Sequence, residues 1–244
     1  MASGLAEAGA SVVLASRRGG LCQEKAETLR RETGVEALGL EMDVTRESDV
    51  DGAISKIVSN FGHLDILVNN SGAFLNKPII DVSRDEWDSV MDVNMTGTFY
   101  CCRAAGRHMI PRRYGKIINI SSTYGILGID GRIYVRPGEE LVESAVYTAS
   151  KGALVNFTRG LASAWARYNI NVNCISPGGF LTEGVEQQWR KNLQAMVSEF
   201  NKRTPLGRMG DRDDLKGAVV YLASEASKFV TGHNLVVDGG WSIW

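Results

Sequence analysis

Residues 10–44 read ASVVLASRRGGLCQEKAETLRRETGVEALGLEMDV. SVVLAS (11–16) is a short apolar run that predicts a buried strand. GLCQEKAETLRRET (20–33) follows with helical periodicity and stops at Gly34, a residue type that ends helices. VEALGLEMDV (35–44) returns to a strand pattern. A strand, a helix and a second strand in close succession form the unit from which parallel sheets are assembled.

The same alternation continues along the chain. ESDVDGAISKIVSNFG predicts a helix closed by Gly62, and LDILVNN (64–70) a strand. Ser83 with Glu86 makes a capping box, opening a helix through EWDSVMDVNMTGTFYCCRAAGRHMI. GKIINISS (115–122) and INVNCISPG (170–178) are strands on either side of a helix over roughly 144–168. A helical region from Thr182 to about Ser198 and a helix from Asp211 to about Ser224 precede the last strand, NLVVDGG (234–240). Near-continuous apolar strands separated by helices mean a parallel sheet covered on both faces, and right-handed crossovers make it doubly wound. The expected fold is therefore α/β, one domain over residues 1–244, with no internal repeat or linker. Ligands of such sheets bind beyond the carboxyl ends of the strands. Ser16-Arg17-Arg18, Asp43, Asn69-Asn70-Ser71-Gly72, Ser121-Ser122 and Pro177-Gly178 stand at those positions.

The net charge of −1 over 244 residues gives no electrostatic case for nucleic acid or an anionic membrane as partner. No apolar run approaches the ~18 residues of a transmembrane helix. The N-terminus lacks a basic region followed by an apolar core, so no secretory leader is expected. Cys22, Cys101, Cys102 and Cys174 form no CxxC, which argues against a disulfide framework or zinc site and fits a reducing cytoplasm. His63, His108 and His233 show no clustered metal-binding pattern, and no metal is expected.

Tyr147 and Lys151 in YTASK lie four residues apart, on one face of a helix. An ammonium near a phenol favours the phenolate, which moves tyrosine towards a general acid/base useful near neutral pH. Alone, the pair is a weak signal and reads more readily as an exposed helical pair. It is accompanied by Ser122 at a strand end, Asn94 within VNMTG and NNSG after another strand.

Together these features resemble the short-chain dehydrogenase/reductase family, over about Gly4 to Gly240. Asp43-Val44, Asn69 to Gly72, Asn94, Ser122, Tyr147 with Lys151, and Pro177 to Thr182 recur in the family's order. The resemblance implies a Rossmann-like fold and a nicotinamide-dependent oxidoreductase acting on a small carbonyl or alcohol. It implies that Tyr147 exchanges a proton with the substrate oxygen, that Ser122 hydrogen-bonds that oxygen, and that Lys151 holds the nicotinamide ribose and tunes Tyr147. Asn94 would anchor a water linking Lys151 to solvent. Asp43 would accept from the adenine amino group with Val44 beside the ring, and Asn70, Ser71 and Gly72 would pass close to the adenosine ribose. Ser71 stands where the family usually has alanine. Pro177, Gly178, Phe180 and Thr182 would line the nicotinamide and its phosphate.

An acidic residue at the end of the second family strand would bind the ribose 2′-hydroxyl of NAD. Here Ser16 is followed by Arg17 and Arg18, groups that can hold a phosphate dianion. NADP(H) is expected in preference to NAD(H), unless the arginines are only a solvated face. A homodimer or homotetramer is implied by the resemblance. Trp241 and Trp244 beyond the last strand could pack across such an interface or cover their own core.

The 24 residues between Ser122 and Tyr147 exceed the family's usual connection by roughly a dozen, and long loops of this kind tend to be functional. GIDGRIYVRPGEEL is expected at the mouth of the site, where Arg132, Tyr134, Arg136, Glu139 and Glu140 would suit a hydroxylated or anionic substrate such as a sugar acid. A surface loop with a role in assembly is the alternative. The nearest functional types are gluconate 5-dehydrogenase-like and 3-oxoacyl-carrier-protein reductase-like enzymes, and the polar loop leans to the first.

One family element is not found. The strand and T-G-x-x-x-G-x-G loop that normally seat the pyrophosphate would precede GLAEAGA, which reads as a helix end. That strand would lie at the centre of the sheet, between those ending at Ser16 and Asn70, and its loss would expose two strand edges. The expectation is that Met1 is internal to a longer reading frame. The competing expectation is a truncated, cofactor-deficient family member acting as a binding or assembly protein.

Overall fold

Strands and helices alternate as the sequence predicts. The structure, a computed structural model, describes residues 1–135 and 138–244. A short helix α1 (Ala2–Glu7) leads into β1 (Val12–Ser16), α2 (Gly19–Thr33), β2 (Ala37–Glu41), α3 (Glu47–Phe61) and β3 (Ile66–Asn69). Then come α4 (Arg84–Met91), α5 (Gly97–Arg112), β4 (Gly115–Ile120), α6 (Ala145–Trp165) and β5 (Ile170–Pro177). The chain closes with α7 (Glu183–Gln188), α8 (Leu193–Arg203), α9 (Lys216–Ala223) and β6 (Asn234–Val237). Gly34 and Gly62 end α2 and α3 with φ of 75° and 79°, a backbone shape that a side chain would disfavour.

Every strand pair is parallel. β1 pairs with β2 from Val12↔Ala37 to Ser16↔Glu41, and β3, β4, β5 and β6 form a second sheet in that order. β4 is buried throughout, and its side chains alternate between two cores. Ile117 packs with Val172, Met109 and Ala162 towards α5 and α6, and Ile118 packs with Ile175, Val219 and Leu222 towards α9.

The two sheets do not join. Among the described residues β1 has no partner on the edge facing β3, and a cleft of about 1220 Å³ separates them. Val13, Leu14 and Ala15 line one side and Ile66, Leu67 and Val68 the other. This is where a central strand was expected to be lacking, between Ser16 and Asn70.

Two predicted helices are subdivided. The long helix after Ser83 begins with the capping box, in which Glu86 N donates to Ser83 Oγ at 3.2 Å and Ser83 N to Glu86 Oε2 at 2.9 Å. It widens into a π turn at Asp92–Thr96 before α5, and Asn94 sits in that turn. The region after Thr182 breaks between α7 and α8. No helix among the described residues is long and apolar enough to cross a membrane. All four cysteines are buried and free, and no group of side chains among the described residues could hold a metal ion.

Candidate active site

Tyr147 and Lys151 stand one turn apart near the start of α6, and three contacts fix that turn. Ser144 Oγ donates to Leu75 O at 2.5 Å, and Ser121 Oγ, just past β4, donates to Lys151 O at 2.7 Å. Gly125 passes so close that a Cβ there would sit 2.8 Å from Lys151 O, so the approach needs glycine.

Lys151 is 4% exposed, and its Nζ donates to Ile120 O at 2.9 Å and lies 5.7 Å from the Tyr147 ring centroid. Burial pushes its ammonium down to about 8. Burial also raises the Tyr147 phenol above its ordinary range, and the adjacent Ser122 hydroxyl pulls it part of the way back. The i,i+4 spacing predicted a phenol lowered by its lysine. The structure reverses that direction, because desolvation of the phenol outweighs an ammonium directed at Ile120 O.

Asn94 is fully buried and uses its whole carboxamide. Its Oδ1 accepts from Ala73 N at 2.7 Å, and its Nδ2 donates to Ala73 O at 3.0 Å and Ser150 Oγ at 2.8 Å. It therefore ties the segment after NNSG to α6. A Cβ on Gly72 would lie 3.6 Å from Lys151 Nζ and 3.7 Å from Asn94 Oδ1, so this glycine faces both side chains directly.

Ser122, Tyr147 and Lys151 line one pocket of about 430 Å³, together with Asn70, Gly72 and Pro177. Phe74 and Gln188 line it too, and the sequence reading missed both. Phe74 stands two residues past a recognised motif, and no signal in the sequence marks Gln188. Ser16, Arg17, Arg18, Asp43, Val44 and Ser71 line the separate cleft between the two sheets, which meets the catalytic pocket at Asn70 and Gly72. Asp43 Oδ1 accepts from Thr45 N at 3.0 Å and Thr45 Oγ1 at 2.8 Å, and these bonds hold its carboxyl below the usual range with help from Arg17.

Three expected cofactor residues line neither cavity. Gly178 packs against Asp238, where a Cβ would approach to 2.6 Å, so its glycine serves strand packing. The Phe180 ring packs on Gly210, and Thr182 caps α7 by accepting from Val185 N at 3.3 Å.

Among the described residues, Asp130, Arg132, Tyr134 and Glu139 of the long connection between Ser122 and Tyr147 bind other parts of the chain or one another. Asp130 accepts from Arg132 Nε at 2.7 Å and from Arg203 Nη1 on α8 at 2.6 Å, and these partners pull its carboxyl down to about 2. Tyr134 is buried, Glu139 accepts from Asn192 Nδ2 at 2.8 Å, and Glu140 is exposed. Arg136 lies outside the described residues. None of the other four lines the catalytic pocket. Trp241 covers its own core, 5.0 Å from Phe200, whereas Trp244 is 79% exposed.

A nicotinamide dinucleotide fits the donor set at its two ends. Lys151 Nζ has two N–H donors beyond the one given to Ile120 O. The Arg17 and Arg18 guanidinium groups make no hydrogen bond or salt bridge among the described residues, and the charge of Arg17 is felt by Asp43. Nothing among those residues forms the glycine-rich turn that would seat the pyrophosphate.

Comparison with known proteins identifies the family. The family profile described as enoyl-(acyl carrier protein) reductase matches residues 1–242. The chain belongs to the short-chain dehydrogenase/reductase family. Gluconate 5-dehydrogenase of Gluconobacter oxydans is 39% identical over 249 residues, an alignment covering 100% of this chain and 89% of the relative. The 5-keto-D-gluconate 5-reductase of Escherichia coli K12 is 38% identical, covering 98% and 89%. The crystal structure of a gluconate 5-dehydrogenase from Burkholderia cenocepacia J2315, in complex with NADP and tartrate, superposes with a TM-score of 0.87 at 39% identity, covering 100% of this chain and 89% of that one. This short-chain dehydrogenase/reductase is an oxidoreductase that interconverts a secondary alcohol and a ketone.

Proposed function

We propose that the enzyme interconverts a keto and a hydroxy form of a sugar acid or polyol with NADP(H), using Ser122, Tyr147, Lys151 and Asn94. The observation that carries this reading is the convergence of Ser122, Tyr147 and Lys151 on one polar pocket. Relatives that act on gluconate and its 5-keto form support the substrate class. When bound, NADPH supplies the hydride.

The protein's own part is at the substrate oxygen. A carbonyl gaining a hydride becomes an alkoxide and needs a donor and a proton there. The Ser122 hydroxyl holds the oxygen, and the Tyr147 hydroxyl gives it the proton. The high pKa of Tyr147 keeps that proton in place through neutral pH. Lys151 holds the ribose hydroxyls with its two remaining N–H groups, and the Ser122 hydrogen bond eases loss of the Tyr147 proton. Asn94 fixes Ala73 and so the wall at Gly72, and its turn anchors the water through which Tyr147 is reprotonated. A screen of 5-keto-D-gluconate, other ketoses and acetoacetyl thioesters, followed at the absorbance of NADPH, tests the class. Turnover of the thioester alone would overturn it.

The preference for NADP(H) is supported by Arg17 and Arg18 just past β1, whose guanidinium groups make no hydrogen bond or salt bridge among the described residues. Replacing both by alanine is expected to lower kcat/KM with NADPH by about 10- to 100-fold and to leave NADH turnover unchanged. Equal losses with both cofactors would refute the assignment. The four free buried thiols fit a reducing cytoplasm.

A homodimer or homotetramer belongs to the same reading. A hollow of about 420 Å³ on the α5 and α6 faces, lined by Phe99, Ile110, Phe157, Leu161 and Trp165, supports it. Light scattering on the eluting protein should give two or four times 26.6 kDa, and a monomer at micromolar concentration would contradict it.

A further inference from the structure

Two carboxamides lining the pocket, those of Asn70 and Gln188, make no hydrogen bond among the described residues. Asn70 stands at the junction with the cofactor cleft, whereas Gln188 lines the catalytic pocket alone, at the end of α7. Its side chain has no hydrogen-bond partner among the described residues. A carboxamide offers both a donor and an acceptor without a charge, which matches a hydroxyl group.

The residue beside it is clamped. The Trp189 ring lies 6.2 Å from Phe74, which itself lies 5.1 Å from Tyr147. On its other side Trp189 packs 4.7 Å from Tyr134, and the Tyr134 hydroxyl is 2.8 Å from that of Tyr124. Asn192, just past α7, donates to Tyr134 O at 3.3 Å and to Glu139 Oε2 at 2.8 Å. The long connection before α6 thus grips the segment carrying Gln188 from two sides. Aromatic stacking of this kind fixes a backbone with little conformational freedom left to lose. Among the described residues no arginine lines the pocket, and its one cation, Lys151, gives one of its three N–H donors to Ile120 O.

We infer that Gln188 is a specificity-determining residue that reads a hydroxyl on the carbon next to the reacting one, and that Tyr134 positions it. This rests on the ketone reduction proposed above and narrows the substrate to α-hydroxy ketones and vicinal diols. The long connection then contributes to recognition through Trp189.

The test pairs matched ligands on the NADPH-loaded chain. Reduction of 2-hydroxycyclohexanone is compared with that of cyclohexanone, and calorimetric binding of trans-1,2-cyclohexanediol with that of cyclohexanol. The parent chain is expected to favour the hydroxylated member of each pair about 5- to 10-fold, the worth of one neutral hydrogen bond. Gln188→Leu should erase that preference, with the loss falling on the KM and Kd of the hydroxylated member of each pair. Tyr134→Leu should do the same, Tyr134→Phe should keep the preference, and Gln188→Leu on top of Tyr134→Leu should add nothing. A parent chain without the preference, or a Gln188→Leu chain that retains it or weakens both ligands alike, overturns the inference. Failure to turn over sugar acids while the preference holds would remove the sugar-acid reading and leave the role of Gln188 standing.

Discussion

Replacing Tyr147 by phenylalanine is expected to lower kcat about 10³-fold, within the range a positioned general acid contributes. The fold should not change. Phe74 meets the ring of Tyr147 edge-on at 5.1 Å, and a phenyl ring keeps that contact. Burial keeps the phenol protonated at neutral pH, so the parent chain is armed as an acid for ketone reduction. The reverse direction needs the deprotonated form, so alcohol oxidation should accelerate as pH rises towards the raised pKa, while reduction loses its proton donor there. Both slopes should vanish in Tyr147→Phe. Kinetics followed at the NADPH absorbance, with circular dichroism as the check on folding, decide the matter. A variant that keeps more than about a tenth of the parent kcat would remove Tyr147 as the acid.

The legible part of this site is the part fixed by local spacing. Ser16, Asp43, Asn69 and Ser122 could be placed at strand ends because apolar runs stop at them, and Tyr147 and Lys151 on one face because a helix repeats every 3.6 residues. What depends on chain segments meeting from a distance was not legible. The direction of the Tyr147 pKa is set by burial under Phe74 and its neighbours, which no i,i+4 rule contains. The charges of the long connection looked available for substrate, yet Arg132 is paired with Asp130 and Glu139 accepts from Asn192, 53 residues away. Gly178 was assigned to the cofactor as a glycine of close approach, and it does approach closely, but to Asp238. Gln188 is one glutamine of a QQ pair in a polar stretch, and only the clamp on Trp189 gives it a place.

Lys151→Met should abolish turnover and at the same time make the protein more stable below pH 8. The sign follows from the direction of the shift. An unfolded lysine titrates near 10.5, and the buried one at about 8, so the folded chain carries a penalised ammonium at every pH below that value. Between pH 8 and 10.5 the folded chain has released this proton while the unfolded chain still holds it. The stability of the parent should therefore climb across that window, by about 3 kcal/mol in all. Methionine fills the same space without charge, so the climb should disappear. It leaves Ile120 O without its 2.9 Å partner, which costs about 1 kcal/mol. The net gain at pH 7 is about 2 kcal/mol, or a Tm increase of about 4–8 °C for a chain of this length. Thermal unfolding at pH 6.5, 8 and 9.5 measures both the gain and the lost slope. A Lys151→Met chain less stable than the parent at pH 6.5 would mean that the ammonium is well compensated in the fold. A more stable but inactive chain would mean that the buried charge is kept for its two free N–H donors, at the expense of the fold that holds it.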